Sequence, residues 1–216
     1  MKDNTFIMDR TLSHRLYDHF IPGKNKILLL TDGSFETYEH LRQNYPDSTI
    51  YNCNCMSHMV DVYTGGNNSN FYWSTSKLVP DSVTDEYWDI IIVENLVYTM
   101  CGLALDKLIN KLKRMSNMVI MNYHTSSQFD VMTANDKGEI IKCTYKPETF
   151  NNLFGGKCTH YVLDLTPRDK DLNSMNQSQF CATLLTCAEL LESQLRNPLS
   201  IEFVKTYTRS FVVWEK

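Results

Sequence analysis

The fold of this chain is decided by the stretch Trp88-Asp89-Ile90-Ile91-Ile92-Val93-Glu94-Asn95. Its β-branched apolar run from Ile90 to Val93 is typical of a strand that is buried on both faces of a sheet. A helical pattern follows from Leu103 to Met115, because apolar residues recur there at spacings of three and four. A short apolar strand then runs from Met118 to Met121. This order predicts a βαβ crossover whose two strands are parallel neighbours.

The residues that follow these two strands are candidates for a binding site. In open parallel sheets, ligands bind beyond the carboxyl ends of the strands. The polar and aromatic residues at these two ends are Glu94, Asn95, Tyr98, Tyr123 and His124.

The chain on the amino-terminal side repeats the same arrangement. Lys26 to Thr31 predicts a second buried strand, Glu36 to Asn44 a helix, and Thr49 to Cys53 a third strand. A short aromatic strand is predicted at Phe71-Tyr72-Trp73.

The carboxyl-terminal half is predicted to hold five further elements. They are a hairpin turn at Asp136 to Glu139, a helix from Pro147 to Phe154, a strand from His160 to Leu165, a helix over 176–195 and a last strand from Ser210 to Trp214. We interpret residues 1–216 as one domain with a helical extension over residues 1–22, since no linker or repeat divides them.

Composition limits the classes of function. The net charge of −4 argues against a surface for long duplex nucleic acid, and leaves open a short RNA end bound in a local pocket. The sequence contains no run of 18 apolar residues and no secretory leader, so we expect no membrane contact and a cytoplasmic location.

The cysteines are odd in number and scattered. Seven are present, a pattern that favours a reduced intracellular setting over a disulfide framework. Cys53, Cys55 and His58 come nearest to a zinc pattern, but no second ligand pair accompanies them, so we expect no metal.

The order of predicted strands, near residues 27, 50, 71, 90, 119, 161 and 211, resembles that of class I S-adenosylmethionine (SAM)-dependent methyltransferases. Arg209 to Lys216 looks like the closing strand of that family, and Trp88 to Val93 like its fourth strand. The resemblance covers nearly the whole chain. It implies an α/β fold with a doubly wound, mostly parallel seven-stranded sheet, an antiparallel C-terminal strand, and SAM as cofactor.

The resemblance also implies a cofactor site at the first turn. The family has a Gly-x-Gly-x-Gly turn after its first strand, whereas this chain has Thr31-Asp32-Gly33-Ser34, with a single glycine. Asp32 would contact the cofactor ammonium, and Gly33 would allow close approach of the backbone. The family acid that binds the ribose hydroxyls is replaced by Asn52 or Asn54, whose amides form hydrogen bonds to a diol. Glu94 and Asn95 complete the predicted cofactor site.

The segment Glu94 to Tyr98 is similar to mRNA cap guanine-N7 methyltransferases, although Val97 stands where those enzymes have a histidine. This similarity implies a capped RNA end, or another planar nitrogen acceptor, as substrate. Tyr98, Tyr123 and Trp73 are the predicted stacking residues, with His124 beside them. No catalytic base is assigned, because a ring-nitrogen lone pair attacks the sulfonium methyl directly. A viral origin would imply the host cytoplasm and a larger replication polyprotein.

Three alternatives stay open. Ribose 2′-O-methylation uses a Lys-Asp-Lys-Glu tetrad, and this chain has Glu94-Asn95 and Tyr123-His124 where an Asp and a Lys are needed. The single glycine at the first turn favours a catalytically inactive binding or scaffold module. Ser34 resembles the nucleophile of SGNH-type hydrolases, with His124 or His160 as base.

Overall fold

The described structure is a computed structural model covering residues 4–31, 35–54, 71–73, 86–100, 102–134, 136, 140–156, 158–163, 172–205 and 209–216. The predicted site residues Asp32, Gly33 and Ser34 lie outside the described residues, as do Cys55 and His58. For Asn54 and Trp73, only the backbone is described.

A seven-stranded sheet forms the centre of the described chain, in the order β3-β2-β1-β4-β5-β9-β8. The first five strands in this spatial order, β3, β2, β1, β4 and β5, are parallel to their neighbours. The strand β9 is antiparallel to both β5 and β8. The predicted fold class is therefore confirmed. A separate hairpin joins β6 to β7. The strands are β1 Lys26–Thr31, β2 Thr49–Asn54, β3 Phe71–Trp73, β4 Ile90–Glu94, β5 Met118–His124, β6 Val131–Ala134, β7 Ile140–Thr144, β8 Cys158–Val162 and β9 Arg209–Glu215.

Helices cover both faces of the sheet. Those described are α1 Asn4–Phe20, α2 Glu36–Asn44, α3 Leu103–Met115, α4 Pro147–Phe154, α5 Gln177–Arg196 and α6 Ile201–Val204. The residues of α1, α2 and α5 pack on one face, and those of α3 and α4 on the other. The predicted bounds of α2, α3 and α4 match residue for residue. No described helix has both the length and the apolar content needed to cross a membrane.

Burial on both faces explains the apolar runs of β1 and β4. Leu28, Leu29, Ile91 and Ile92 are all fully buried. Successive side chains of a strand point to opposite faces, so Leu29 and Ile92 contact the α1 side while Leu28 and Ile91 contact the α3 side. Both strands end in a polar residue at the carboxyl end, Thr31 in β1 and Glu94 in β4. The sheet therefore presents these polar ends along one edge.

Two asparagines join the ends of β4 and β5. The backbone N–H of Asn95 donates to Asn122 Oδ1 at 2.7 Å, and Asn122 Nδ2 donates to Asn95 Oδ1 at 2.9 Å. Asn95 has a φ of 61°, a left-handed conformation that asparagine tolerates better than most side chains. We refer to Asn95 and Asn122 as the amide clasp. It fixes the direction in which the chain leaves β4.

A neutral histidine lies in the core on the α3 side of the sheet. His160 Nδ1 lies 2.8 Å from Tyr123 Oη, and His160 Nε2 lies 3.0 Å from Asn151 Oδ1. An amide oxygen only accepts, so Nε2 carries the proton and Nδ1 accepts from Tyr123. Burial lowers the pKa of His160 to about 4. The same burial raises the pKa of Tyr123, whose phenol therefore stays protonated.

The predicted role of Tyr123 as a stacking residue is wrong. Its side chain is fully buried, packs against Phe150 with ring centroids 4.5 Å apart, and bonds to His160. Alternation along β5 explains this position, because Tyr123 points to the opposite face from His124.

We expect the stability of the protein to fall as pH is lowered through the range set by His160. The unfolded histidine binds a proton near pH 6.5, whereas the folded residue resists protonation until about pH 4, so stability is complete above pH 6.5 and is lost below it. From pH 7.5 to pH 5.0 this residue should contribute a loss of about 2 kcal/mol. Urea unfolding of wild type and His160→Gln at both pH values measures it.

The pH-dependent loss in His160→Gln should be about 2 kcal/mol smaller than in wild type. His19→Gln, at an exposed position of α1, supplies the matched control. Equal losses in wild type and His160→Gln would contradict the buried neutral state.

A second prediction concerns the amide clasp. Asn122→Ala removes both of its hydrogen bonds and should lower the free energy of unfolding by about 1–3 kcal/mol. In an Asn95→Gly background the same change should cost less, because the side-chain bond is already absent and glycine adopts positive φ freely. A double-mutant cycle in urea measures this coupling. Additive effects would show that the two asparagines do not act together.

Candidate functional site

A cavity of 190 Å³ lies at the carboxyl edge of β4 and β5, beneath α1. We call it the inner cavity. The strands and the turn after β4 contribute Glu94, Asn95, Tyr98, Asn122 and His124. Helix α1 contributes Phe6, Asp9, Arg10 and Ser13, and α2 contributes Thr37. Leu163, Arg209 and Ser210 complete its lining.

Glu94 is the buried acid of this cavity. Its residue is 6% exposed, and its Oε1 accepts a hydrogen bond from Tyr17 Oη at 2.7 Å and one from Thr37 Oγ1 at 3.0 Å. Burial and the neighbouring Glu94 charge raise the pKa of Tyr17 well above its usual value, so Tyr17 remains a donor. These two hydroxyl donors offset part of the cost of removing a carboxylate from water.

Aromatic rings form another part of the cavity wall. The rings of Tyr98 and His124 are stacked with centroids 4.1 Å apart and an angle of 26° between their planes. This spacing leaves no room for a third ring between them. A planar ligand in the inner cavity would therefore stack against one face of the pair.

The formal charges of the described residues that line the cavity balance. Asp9 and Glu94 are acidic, and Arg10 and Arg209 are basic. Arg209 forms an ion pair with Asp9, and Arg10 lies 3.9 Å from Glu36 of α2. A cavity with this balance suits a ligand of low net charge better than a polyanion.

The neighbouring strand ends contain a buried acceptor. Asn52 is 1% exposed, and its Oδ1 has no hydrogen-bond partner among the described residues. A buried oxygen of this kind is costly unless a donor reaches it, and a ligand hydroxyl is one such donor. The environment of Asn52 thus fits the hydroxyl-binding role expected of it. Thr31 is fully buried one strand away and pairs in register with Glu94.

The structure brings together four of the predicted site residues, namely Glu94, Asn95, Tyr98 and His124. Thr31 and Asn52 lie in the adjacent strands but outside the lining of the inner cavity. Among the residues that the structure describes, no group of three His, Cys, Asp or Glu is placed to hold a metal ion.

The sequence analysis missed several residues of the inner cavity. The position of Asn122 in the cavity could be predicted, because it lies two residues before His124 and therefore shares its face of β5. The positions of Thr37, Asp9 and Arg209 could not be predicted, because each lies in an element distant in sequence from β4 and β5. Their placement depends on how α1, α2 and β9 pack around the edge of the sheet.

Comparison by sequence finds no matching protein-family model and no matching curated protein. Comparison by structure finds methyltransferases. Coclaurine N-methyltransferase bound to N-methylheliamine and S-adenosylhomocysteine (SAH) has a TM-score of 0.56 and 13% identity, over 94% of this chain and 71% of that one. A SAM-dependent methyltransferase from Archaeoglobus fulgidus has a TM-score of 0.52 and 13% identity, over 96% and 94%.

A third similar structure is the 1,6-didemethyltoxoflavin-N1-methyltransferase of Burkholderia thailandensis with 1,6-didemethyltoxoflavin and SAH bound. It has a TM-score of 0.56 and 11% identity, over 97% of this chain and 78% of that one. Identities this low establish the fold alone. Together with the strand order, they show that the chain has the class I methyltransferase fold.

Proposed function

We propose that this protein is a SAM-dependent methyltransferase that acts on a nitrogen atom of a planar acceptor. The observation that carries the proposal is the position of the inner cavity, which lies beyond β4 and β5 in a sheet of class I order. Such sheets bind their ligands at this edge. The similar solved structures, several of which contain SAM or SAH, support the same cofactor here.

The residues around the first two strands are assigned to the cofactor. Asn52 Oδ1 would accept from a ribose hydroxyl, and Thr31 with Asp32, Gly33 and Ser34 would form the turn that holds the methionine part. SAM supplies an electrophilic methyl group when bound. The chain itself supplies the orientation of the two reactants and the exclusion of water, on which such a transfer depends.

Nitrogen is the acceptor atom that the cavity supports best. Tyr98 and His124 provide a surface for a planar ring, and Asn122 and Asn95 provide amide groups beside it. None of the described residues lining the inner cavity is a lysine, which disfavours the tetrad used for ribose methylation. Two of the similar structures carry N-methyltransferase names.

One candidate acceptor is guanine N7 of an RNA cap, which the similarity of the Glu94 to Tyr98 segment suggests. Low-charge heterocycles are the competing acceptor within the same class, and the balanced charges of the inner cavity favour them. A capped RNA and a low-charge heterocycle differ in charge, so one experiment that offers both substrates distinguishes the two acceptors.

The cofactor assignment predicts that SAH stabilises the protein. At a ligand concentration 100 times the dissociation constant, the free energy of unfolding should rise by about 2.7 kcal/mol, which a thermal shift detects. Asn52→Ala should weaken SAH binding by about 2- to 10-fold in calorimetry, since one neutral hydrogen bond is lost.

Two variants control this measurement. Asn52→Asp keeps an acceptor oxygen and should retain binding, while Asn110→Ala, at an exposed position of α3, should have no effect. The absence of any thermal shift or heat with both SAM and SAH would contradict the proposed function and favour a scaffold module.

The acceptor assignment predicts methylation at nitrogen. Radiolabelled SAM is supplied with a short capped RNA, with the same RNA premethylated at guanine N7, and with a panel of small nitrogen heterocycles. Tyr98→Ala should raise the KM of the accepted substrate by about 5- to 150-fold through loss of a stacking surface, and Tyr98→Phe should retain activity. Methyl transfer to a ribose oxygen of the premethylated cap would overturn the nitrogen assignment.

A further inference from the structure

A chain of hydrogen bonds connects the inner cavity to the outside of the protein. Thr37 Oγ1 donates to Glu94 Oε1 at 3.0 Å, and His14 Nε2 lies 3.3 Å from the same Thr37 oxygen. Thr37 has one hydroxyl proton and gives it to Glu94, so His14 must carry hydrogen on Nε2 and act as donor to Thr37. The direction of every bond in the chain is thereby fixed.

His14 lies at the outer end of this chain. It lines a groove of 470 Å³ between α1 and α2, which we call the outer groove and which also includes Asp18 and His40. The rings of His14 and His40 are stacked with centroids 4.0 Å apart, and His40 Nε2 lies 2.8 Å from Asp18 Oδ1. In this series of hydrogen bonds, Thr37 lies between Glu94, which lines the inner cavity, and His14, which lines the outer groove.

We propose that Glu94, Thr37 and His14 form a proton relay between the inner cavity and the outer groove, and that the methyl acceptor is a nitrogen that bears hydrogen. Methylation of such a nitrogen would form an N–C bond, break the S–C bond to the methyl group of SAM with SAH as leaving group, and break an N–H bond whose proton the Glu94 carboxylate takes up. Guanine N7, by contrast, carries no hydrogen and releases none. The proposal rests on the proposed function, because the methyl transfer supplies the proton. It narrows the acceptor to a nitrogen that bears hydrogen.

The proton balance of the relay closes on the observed contacts. The transfer starts from the other tautomer of His14, with hydrogen on Nδ1 and a free lone pair on Nε2. Protonated Glu94 gives its proton to Thr37 Oγ1, Thr37 passes its own proton to Nε2 of His14, and His14 loses its Nδ1 proton to water in the outer groove. His14 then returns to the starting tautomer by exchanging protons with that water. The product of this transfer is an ionised Glu94 that accepts from Thr37, with His14 protonated on Nε2. That product has the hydrogen-bond directions inferred above from the contacts of Thr37 with Glu94 and His14.

The surroundings of His14 suit a group that passes a proton on. Burial, and then the neighbouring His40 and Arg10, lower the pKa of His14 to about 4, so it does not retain the proton at neutral pH. The charged and titratable groups that face it across the outer groove are Arg10, Arg15 and Asp18 from α1 and Glu36, Glu39 and His40 from α2. Asp18 acts in the opposite sense and raises the pKa of His14, but burial, His40 and Arg10 outweigh it.

The relay is tested by the rate at which Glu94 gains a proton after a rapid drop in pH. Infrared spectroscopy follows the C=O band of the protonated carboxyl, and Glu94→Gln identifies that band by removing it. Thr37→Val, which keeps shape but loses the hydroxyl, should slow protonation about 100-fold, the lower end of what a positioned proton-transfer group contributes. His14→Phe, which keeps a ring to stack on His40, should slow it similarly.

Thr37→Ser retains the hydroxyl and should keep the wild-type rate within about twofold. The pH midpoint of the band is recorded separately, because a purely structural role would shift the midpoint without changing the rate. Unchanged rates in Thr37→Val and His14→Phe would overturn the relay. If Thr37→Val does not fold, His14→Phe, at a partly exposed residue, still decides the outcome.

This experiment uses neither cofactor nor acceptor. A failure of the relay therefore stands apart from a failure of the proposed function, which would appear as the absence of SAH binding.

Discussion

The arrangement of this protein depends on the burial of one carboxylate at the end of β4. Glu94 is 6% exposed and requires donors, because a buried charge without partners costs several kcal/mol. Tyr17 of α1 and Thr37 of α2 supply them from two different helices. The same two bonds hold both helices over the carboxyl edge of the sheet, where they form the roof and side of the inner cavity.

Helix α1 contributes residues both to the hydrophobic core and to the lining of the inner cavity. Leu12, Leu16 and Tyr17 are fully buried against the sheet, whereas Asp9 and Arg10 line the inner cavity. Ion pairs from these two residues reach β9 and α2. The helix is consequently both a part of the core and a part of the site, so stability and site geometry are coupled in it.

The elements were predictable because their apolar patterns are strong. The run from Ile90 to Val93 and the apolar stripe of α3 predicted a parallel βαβ unit, and the resemblance of the strand sequence to class I methyltransferases implied the rest of the sheet. Glu94, Asn95, Tyr98 and His124 line one cavity, because the carboxyl ends of parallel strands meet at one edge. The face on which a residue lies was harder to predict. Tyr123 and His124 are adjacent in sequence, yet one lies in the core and the other in the cavity. Residues such as Thr37 and Arg209 depend on tertiary packing, which no local pattern of the sequence encodes.

The ion pair between Asp9 and Arg209 has a consequence for biosynthesis. The two residues are separated by nearly the whole chain, and they meet in the wall of one cavity. A ribosome releases the first helix long before the last strand, so Asp9 of α1 has no basic partner until β9 brings Arg209 to it. During translation the amino-terminal part therefore has no finished binding site, and a prematurely terminated product would lack one altogether.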